Sequence, residues 1–292
     1  MPIKYSLIIR IIRAIKRALA KKNYPKFILT VWKKSQLHKD WASSIDGFDA
    51  ISVKVLDGSS KFQLQEAAAV LVEAAHLNLE HHGWGFHYCL TKEKAKKEAS
   101  AAADLCKKMN LVGYHWNAEK QWAAIGDPEA TAIEFAEQFK LLAPNVKLFA
   151  NCFSSKVTSE MMEVFDYYEP MIYGTRVSTI SKKFKNRWSA PSIRPDQRCA
   201  MVGTGRKNPR NPKQAWGYTH STGDDSSESG LDRLVRDYKP TYLNYFRAGV
   251  IGGEDIMMES NDINPTLSQQ IKVIKKSIRD EQRTLKRDGQ RV

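Results

Sequence analysis

Long unbroken apolar runs are missing from the start of this 292-residue chain. The most apolar stretch, residues 5–19, is interrupted by Arg10, Arg13, Lys16 and Arg17. A membrane span needs about 20 predominantly apolar residues and a signal peptide an uninterrupted apolar centre, so neither is expected there. Cysteine is scarce as well. Cys89, Cys106, Cys152 and Cys199 form no C-x-x-C pair and show no ligand spacing, which argues against a disulfide framework and a zinc site and leaves buried free thiols. No G-x-G-x-x-G or G-K-[ST] follows a strand signal, and H-E-x-x-H does not occur. Dinucleotide, phosphate-loop and zinc-protease chemistries lose their usual supports, and neither cofactor nor metal is expected.

Acidic residues are absent from one end of the chain. Residues 1–39 hold eleven Lys/Arg and no Asp or Glu, while residues 271–292 hold eight Lys/Arg against three acids. Of the formal +14, these ends carry +11 and +5, leaving about −2 for everything between. The basicity is therefore terminal, and the body is nearly neutral. With 42% hydrophobic and 27% charged residues, the body reads as globular and large enough for a full core.

Residues 1–24 read as a basic amphipathic helix, apolar at Ile8, Ile11, Ile12, Ile15 and Leu19, basic at Arg10, Arg13, Arg17 and Lys21. It could lie on an anionic membrane surface, serve as a targeting peptide, dock on another protein, or pack on its own domain. The tail from 271 to 292 is a second docking element. Nucleic-acid binding ranks last, since no helix-turn-helix, zinc-finger or RNA-binding sheet motif accompanies the charge. These features leave a phage virion or the cytoplasm as the expected location.

Between the ends, strand and helix signals alternate. Strand signals fall at 27–32, 50–56, 83–89, 111–116, 146–152, 168–174, 198–203 and 254–259. Helix signals cover about 62–81, 91–109 and 128–142, begin again near 158, and resume at 265 behind Asn264. Asp127-Pro128 supplies a cap and first helical residue for the third. Eight such units over 25–264 predict an α/β fold, a (β/α)8 TIM-type barrel, flanked by the basic helix of 1–24 and a basic helix over 265–292. A doubly wound sheet is the rival. Residues 175–197 and 204–230 are long polar connections and belong to the catalytic face if the barrel is right.

On that face, the strand ends bring Trp32, Asp57, His87, Tyr88, Trp116, Asn117, Glu119, Asn151, Tyr173 and Glu259. Flat rings with a few amides and carboxylates suit a carbohydrate, because rings stack on sugar faces while polar groups orient hydroxyls. Glycoside hydrolysis generally needs two carboxyl groups flanking the scissile bond. Glu119 is the candidate general acid, with Trp116 and Tyr114 or Trp122 able to desolvate it, and Asp57 is the second carboxylate. Trp32, His87, Trp116, Asn117, Asn151, Tyr173 and Glu259 are candidate substrate-binding residues. Plainer readings stand beside these: Glu119 pairing with Lys120, Asp57-Gly58 as an ordinary turn, and His87 and His115 as satisfied interior histidines.

With Asn117-Ala118-Glu119 ending the fourth strand and Pro170-Met171-Ile172-Tyr173 on the sixth, the chain resembles barrel glycoside hydrolases over about 27–260. The nearest picture is the family 25 lysozymes, the N-acetylmuramidases. That resemblance implies a peptidoglycan-type polysaccharide as substrate and an Asp-x-Glu on strand four whose Glu matches Glu119. The Asp of that motif is Asn117 here, and the acid of the family's first strand has no counterpart in Leu29-Thr30-Val31-Trp32. Two expectations follow. One is a glycosidase-like barrel that cleaves or binds a cell-wall polysaccharide. The other is an inactive barrel that serves as a structural or virion-assembly protein, docked through its basic arms.

Overall fold

The computed structural model describes residues 25–37, 41–45, 47–152, 156–172, 182, 186–189, 193–203, 207–208, 211–215, 235, 237–246, 271–280 and 283. Eight parallel strands form the frame: β1 (Lys26–Val31), β2 (Ala50–Asp57), β3 (Glu80–His87), β4 (Gly113–Ala118), β5 (Lys147–Cys152), β6 (Tyr167–Ile172), β7 (Cys199–Gly203) and β8 (Tyr242–Phe246). Each pairs with its successor, and β8 returns to β1, so the sheet closes into the expected barrel. One strand differs from the sequence reading. The eighth is Tyr242–Phe246, and residues 254–259 lie outside the described residues, as does the basic helix of 1–24. The true strand, Tyr-Leu-Asn-Tyr-Phe, carries a polar residue at its centre, which breaks the apolar run that marks most buried strands.

The helices form the outer layer: α1 (Leu64–Ala74), α2 (Lys92–Lys108), α3 (Pro128–Leu142) and the short α4 (Ser159–Val164). Their starts are written in the sequence. Thr91, Asp127 and Thr158 each accept a hydrogen bond from the backbone N–H three residues on, and Pro128 occupies the first turn of α3. Such caps contribute about 1 kcal/mol each. No helix among the described residues is long and apolar enough to cross a membrane. The helical stretch 271–280 buries Ile271 and Ile274, and Lys275 Nζ bonds Gly47 O at 2.6 Å and Asp49 Oδ1 at 2.7 Å.

Strand alternation divides the side chains into two populations. Leu29, Val31, Ile51, Val53, Val55, Tyr114, Trp116 and Ala118 point outward into one continuous core with the helices. Burying each large apolar side chain contributes about 1.5–3 kcal/mol, so this layer holds the helices to the wall. The inward set is different in kind. Ile28, Ala50, Phe149, Cys199 and Tyr242 make a small apolar cluster inside the barrel. Beside them, Thr30, His82, His115, Asn117, Asn151, Glu169 and Asn244 are buried polar groups. A barrel of this type usually fills its interior with branched aliphatics, so the polar filling has to be accounted for bond by bond.

Strand β3 shows how tightly the outer face is built. A Cβ on Gly85 would overlap the Tyr114 hydroxyl and lie 2.8 Å from His87 Nε2 and 2.9 Å from Leu56 Cβ. All three belong to packed elements and cannot simply swing away. Gly85→Ala is expected to lower stability by about 1–3 kcal/mol, read as a shift in the urea unfolding midpoint at unchanged slope.

Candidate active site

Register places the groups that matter. Asn117 on β4 pairs with Phe86 on β3 and Asn151 on β5, and Asn151 pairs with Glu169 on β6. Neighbours on one rung of a parallel sheet point to the same side, so these residues line the barrel's inner face. Glu119 follows immediately after β4, at the C-terminal mouth, where barrels of this type keep their chemistry. It is half-buried, and burial raises its carboxyl above the ordinary value of 4.5. A hydrogen bond from Asn117 and the charge of Lys120 oppose that shift without cancelling it. The Asn117 amide is thus spent on Glu119, while its Oδ1 is buried with no hydrogen-bond partner among the described residues.

Asp57 reaches the same face through an irregularity. On β2, Lys54 pairs with Trp84, but Leu56 pairs with Gly85 and Asp57 with Phe86, so one residue is inserted between. This bulge lets Val55 and Leu56 both face the outer core and brings Asp57 onto the rung of the inward Phe86. Lys54 Nζ donates to Asp57 Oδ2 at 2.8 Å and the Tyr88 hydroxyl to Oδ1 at 3.0 Å, so both carboxylate oxygens are held. Lys54 itself is buried among Trp32, Phe62 and Trp84 rings, with its ammonium 4.1–5.4 Å from their centroids. Trp32, Trp84 and Phe246 stand with centroids 6.1–6.4 Å apart, an aromatic floor on the β1–β3–β8 side.

Two residues expected on this face lie elsewhere. Trp116 points outward, packed against Trp122, Phe135 and Phe165 in the helix layer. His87 is also in that layer, bonded to Glu98 of α2 at 2.9 Å and to the Tyr114 hydroxyl at 2.8 Å. Both corrections have the same cause. Inward and outward positions alternate, so Trp116 cannot share a face with Asn117, nor His87 with Phe86. Tyr173 and Glu259 lie outside the described residues. Trp84, Phe246 and Lys54 were missed by the sequence reading, although the alternation His82, Trp84, Phe86 against Gly83, Gly85, His87 carries the signal.

Below the mouth runs a buried polar chain. Glu80 at the base accepts from Lys26, from Lys147 at 2.7 Å and from His82 Nε2 at 3.2 Å. Burial works to raise Glu80, but these three bonds prevail and hold it well below the usual carboxylate range. His82 Nδ1 meets His115 Nε2 at 3.1 Å, and His115 Nδ1 meets Glu169 Oε2 at 2.7 Å. Glu169, fully buried, also accepts from Asn151 at 2.9 Å and Asn244 at 3.1 Å, and Thr30 donates to Asn244 Oδ1 at 2.7 Å. Burial pushes His82 down to about 3, so its ring is neutral. Donor accounting then fixes the rest. His82 gives its one proton to Glu80, so His115 must donate from Nε2.

The low value at His82 has a consequence for stability. The unfolded chain binds this proton near 6.5 and the folded protein only near 3, so between them the unfolded state binds more protons. Stability is therefore expected to fall as pH drops through that window, by up to about 1.4 kcal/mol per pH unit. Protonation of Glu80 adds to the loss at lower pH. Urea unfolding at pH 7 and pH 5 tests this, and His82→Gln should flatten the slope; an equal slope in the variant would contradict the assignment.

No protein-family model matches the chain, and no curated protein matches it in sequence. Solved structures do match in fold. A chitinase of Rhizomucor miehei superposes with a TM-score of 0.59 at 13% identity, covering 85% of this chain and 99% of that one. The spore cortex-lytic enzyme SleL of Bacillus megaterium gives 0.57 at 11%, covering 87% and 74%. A GH18 chitinase of Pseudoalteromonas aurantia gives 0.51 at 12%, covering 75% and 93%. The fold is a glycoside-hydrolase-like (β/α)8 barrel.

Proposed function

We propose that this barrel is a glycosidase acting on a cell-wall polysaccharide of peptidoglycan or chitin type, with Glu119 as general acid. The observation that carries the reading is the half-buried Glu119 carboxyl at the end of β4, raised by desolvation and oriented by Asn117. A carboxyl group that holds its proton more tightly than an exposed one, at the mouth of a barrel, suits the protonation of a leaving glycosidic oxygen. Trp32, with Trp84 and Phe246, offers rings for a sugar face, while Asn117 and Asn151 present buried amide oxygens with no hydrogen-bond partner. Tyr173 and Glu259 complete the expected sugar contacts.

Asp57 is the second carboxylate. It stands on the same rung as Asn117, two strands away across β3, roughly 9–10 Å along the wall. With both oxygens held by Lys54 and Tyr88, it acts as a fixed negative charge beside the developing oxocarbenium ion rather than as a nucleophile. The nucleophile is then the substrate's own acetamido group, the route used by GH18 enzymes. This fits a fold shared with chitinases and a cortex-lytic enzyme.

The test is hydrolysis of purified peptidoglycan and of chitin oligomers by the wild type and Glu119→Gln, matched for folding by circular dichroism. Activity that disappears in the variant supports the assignment. Silence from both proteins on both substrates retires the enzymatic reading.

A further inference from the structure

On the outer side of the barrel wall, at the C-terminal end of β3, three donors of different chemistry converge. We propose that His87, Cys89 and Glu98 bind one zinc-type divalent cation. Each offers one ligand atom, and the three atoms lie within 4.8 Å of one another with all three residues buried. His87 Nδ1 is 2.9 Å from Glu98 Oε2, and Cys89 Sγ is 3.6 Å from the same oxygen. A tetrahedral ion with bonds of about 2.0–2.1 Å to nitrogen and oxygen and 2.3 Å to sulfur sets its donors roughly 3.3–3.7 Å apart. The two separations from Glu98 Oε2 come within a few tenths of an ångström of that range.

The donor set selects the ion. Nitrogen, thiolate sulfur and one carboxylate oxygen suit zinc and its cobalt substitute, whereas calcium and magnesium take oxygens. The surroundings also ask for a cation. Glu98 is 5% exposed, and its partners are the His87 ring, the Cys89 thiol and the backbone N–H groups of Tyr88 and Cys89. Among the described residues no lysine or arginine pairs with it, so no fixed positive charge balances this buried carboxylate. Outer contacts of the kind that support metal ligands are present. The other His87 nitrogen meets the Tyr114 hydroxyl at 2.8 Å, and the Trp116 indole N–H points at Cys89 Sγ at 3.5 Å.

The protons balance. Without an ion, the thiol S–H and the His87 ring both hydrogen-bond Glu98. On binding, Sγ loses its proton to solvent and forms the metal–sulfur bond. His87 ligates through Nδ1, its single ring proton moving from Nδ1, where it bonded Glu98, to Nε2, where it donates to the Tyr114 hydroxyl oxygen. A dication with one thiolate and one carboxylate is then neutral overall, which suits burial. The ion would pin the turn after β3, where Cys89 sits in the left-handed region at φ 44° and Tyr88 reaches across to Asp57. No motif announces the cluster, because His87-x-Cys89 on a strand end and Glu98 on α2 match no familiar ligand spacing.

The experiment uses the full chain, stripped of metal with a chelator and titrated with Co²⁺. The expected result is one equivalent bound, with a thiolate-to-cobalt band in the near ultraviolet, visible bands of four-coordinate cobalt, and one proton released per ion. Cys89→Ser should lose the thiolate band, and Tyr114→Phe should keep it while binding about 10- to 100-fold more weakly. Zinc should raise the thermal midpoint of the wild type and not that of Cys89→Ser. If Cys89→Ser does not fold, Tyr114→Phe decides: unchanged affinity there overturns the site. Absence of stoichiometric cobalt, or a thiolate band that survives Cys89→Ser, overturns it as well.

Discussion

Glu119→Gln is expected to lower the rate of glycosidic cleavage by roughly 10²-fold or more while leaving the fold intact. Gln keeps the shape of the side chain and can still meet the Asn117 amide, but it has no proton to give. The loss should fall on kcat, because proton donation belongs to the transition state and not to binding. A pH profile adds a second reading. An acid catalyst works only while protonated, so activity falls as pH rises past the Glu119 pKa. Burial raises that pKa, so the alkaline limb should lie above where an exposed carboxylate would place it. An alkaline limb near 4.5, or a variant as active as the wild type, would remove Glu119 from the acid's role.

The second large effect is on stability. Glu169→Ala should destabilise the protein by about 3–5 kcal/mol, measured by urea unfolding at pH 7. Glu169 is the point where His115, Asn151 and Asn244 meet, and all are buried. Truncating it strands the Asn244 amide, takes one of the bonds of the Asn151 amide and removes the partner of His115 Nδ1, in a buried space. Losses of this kind exceed the net contribution of the bonds themselves, since each stranded donor keeps its desolvation cost. Glu169→Gln should cost less, because an amide of the same shape can still accept from two of the three neighbours. Equal stability for Ala and wild type would mean that solvent or a shifted side chain takes over the carboxylate's place.

The barrel was legible because its signals are redundant. Seven of the eight strands coincide with strand signals, the helix starts carry Thr91, Asp127 and Thr158 as caps, and the strand–helix alternation repeats. The site was legible only in outline. Glu119 and Asn117 could be placed at a strand end because the Asp127-Pro128 helix start follows closely. Which side of the wall each neighbour faces depends on register, and there the reading of Trp116 and His87 went to the wrong side. Asp57 illustrates the opposite case. Simple alternation from Lys54 would turn it outward, and only the bulge brings it in. Glu169 was read only as part of a strand, since no local pattern shows that residues 54 and 75 positions away complete its hydrogen bonds.

One further consequence follows from how the ring is closed. β1 is made first, yet one of its edges is covered only when β8 arrives, and the Thr30–Asn244 bond that joins them spans 214 residues. At typical ribosomal rates that interval is on the order of tens of seconds. Through it, the nascent chain carries an unpaired, apolar strand edge of the kind other chains can adopt. The finished barrel has no such edge. The hazard for this protein therefore lies in its synthesis, and what limits its yield is how long β1 waits for a partner.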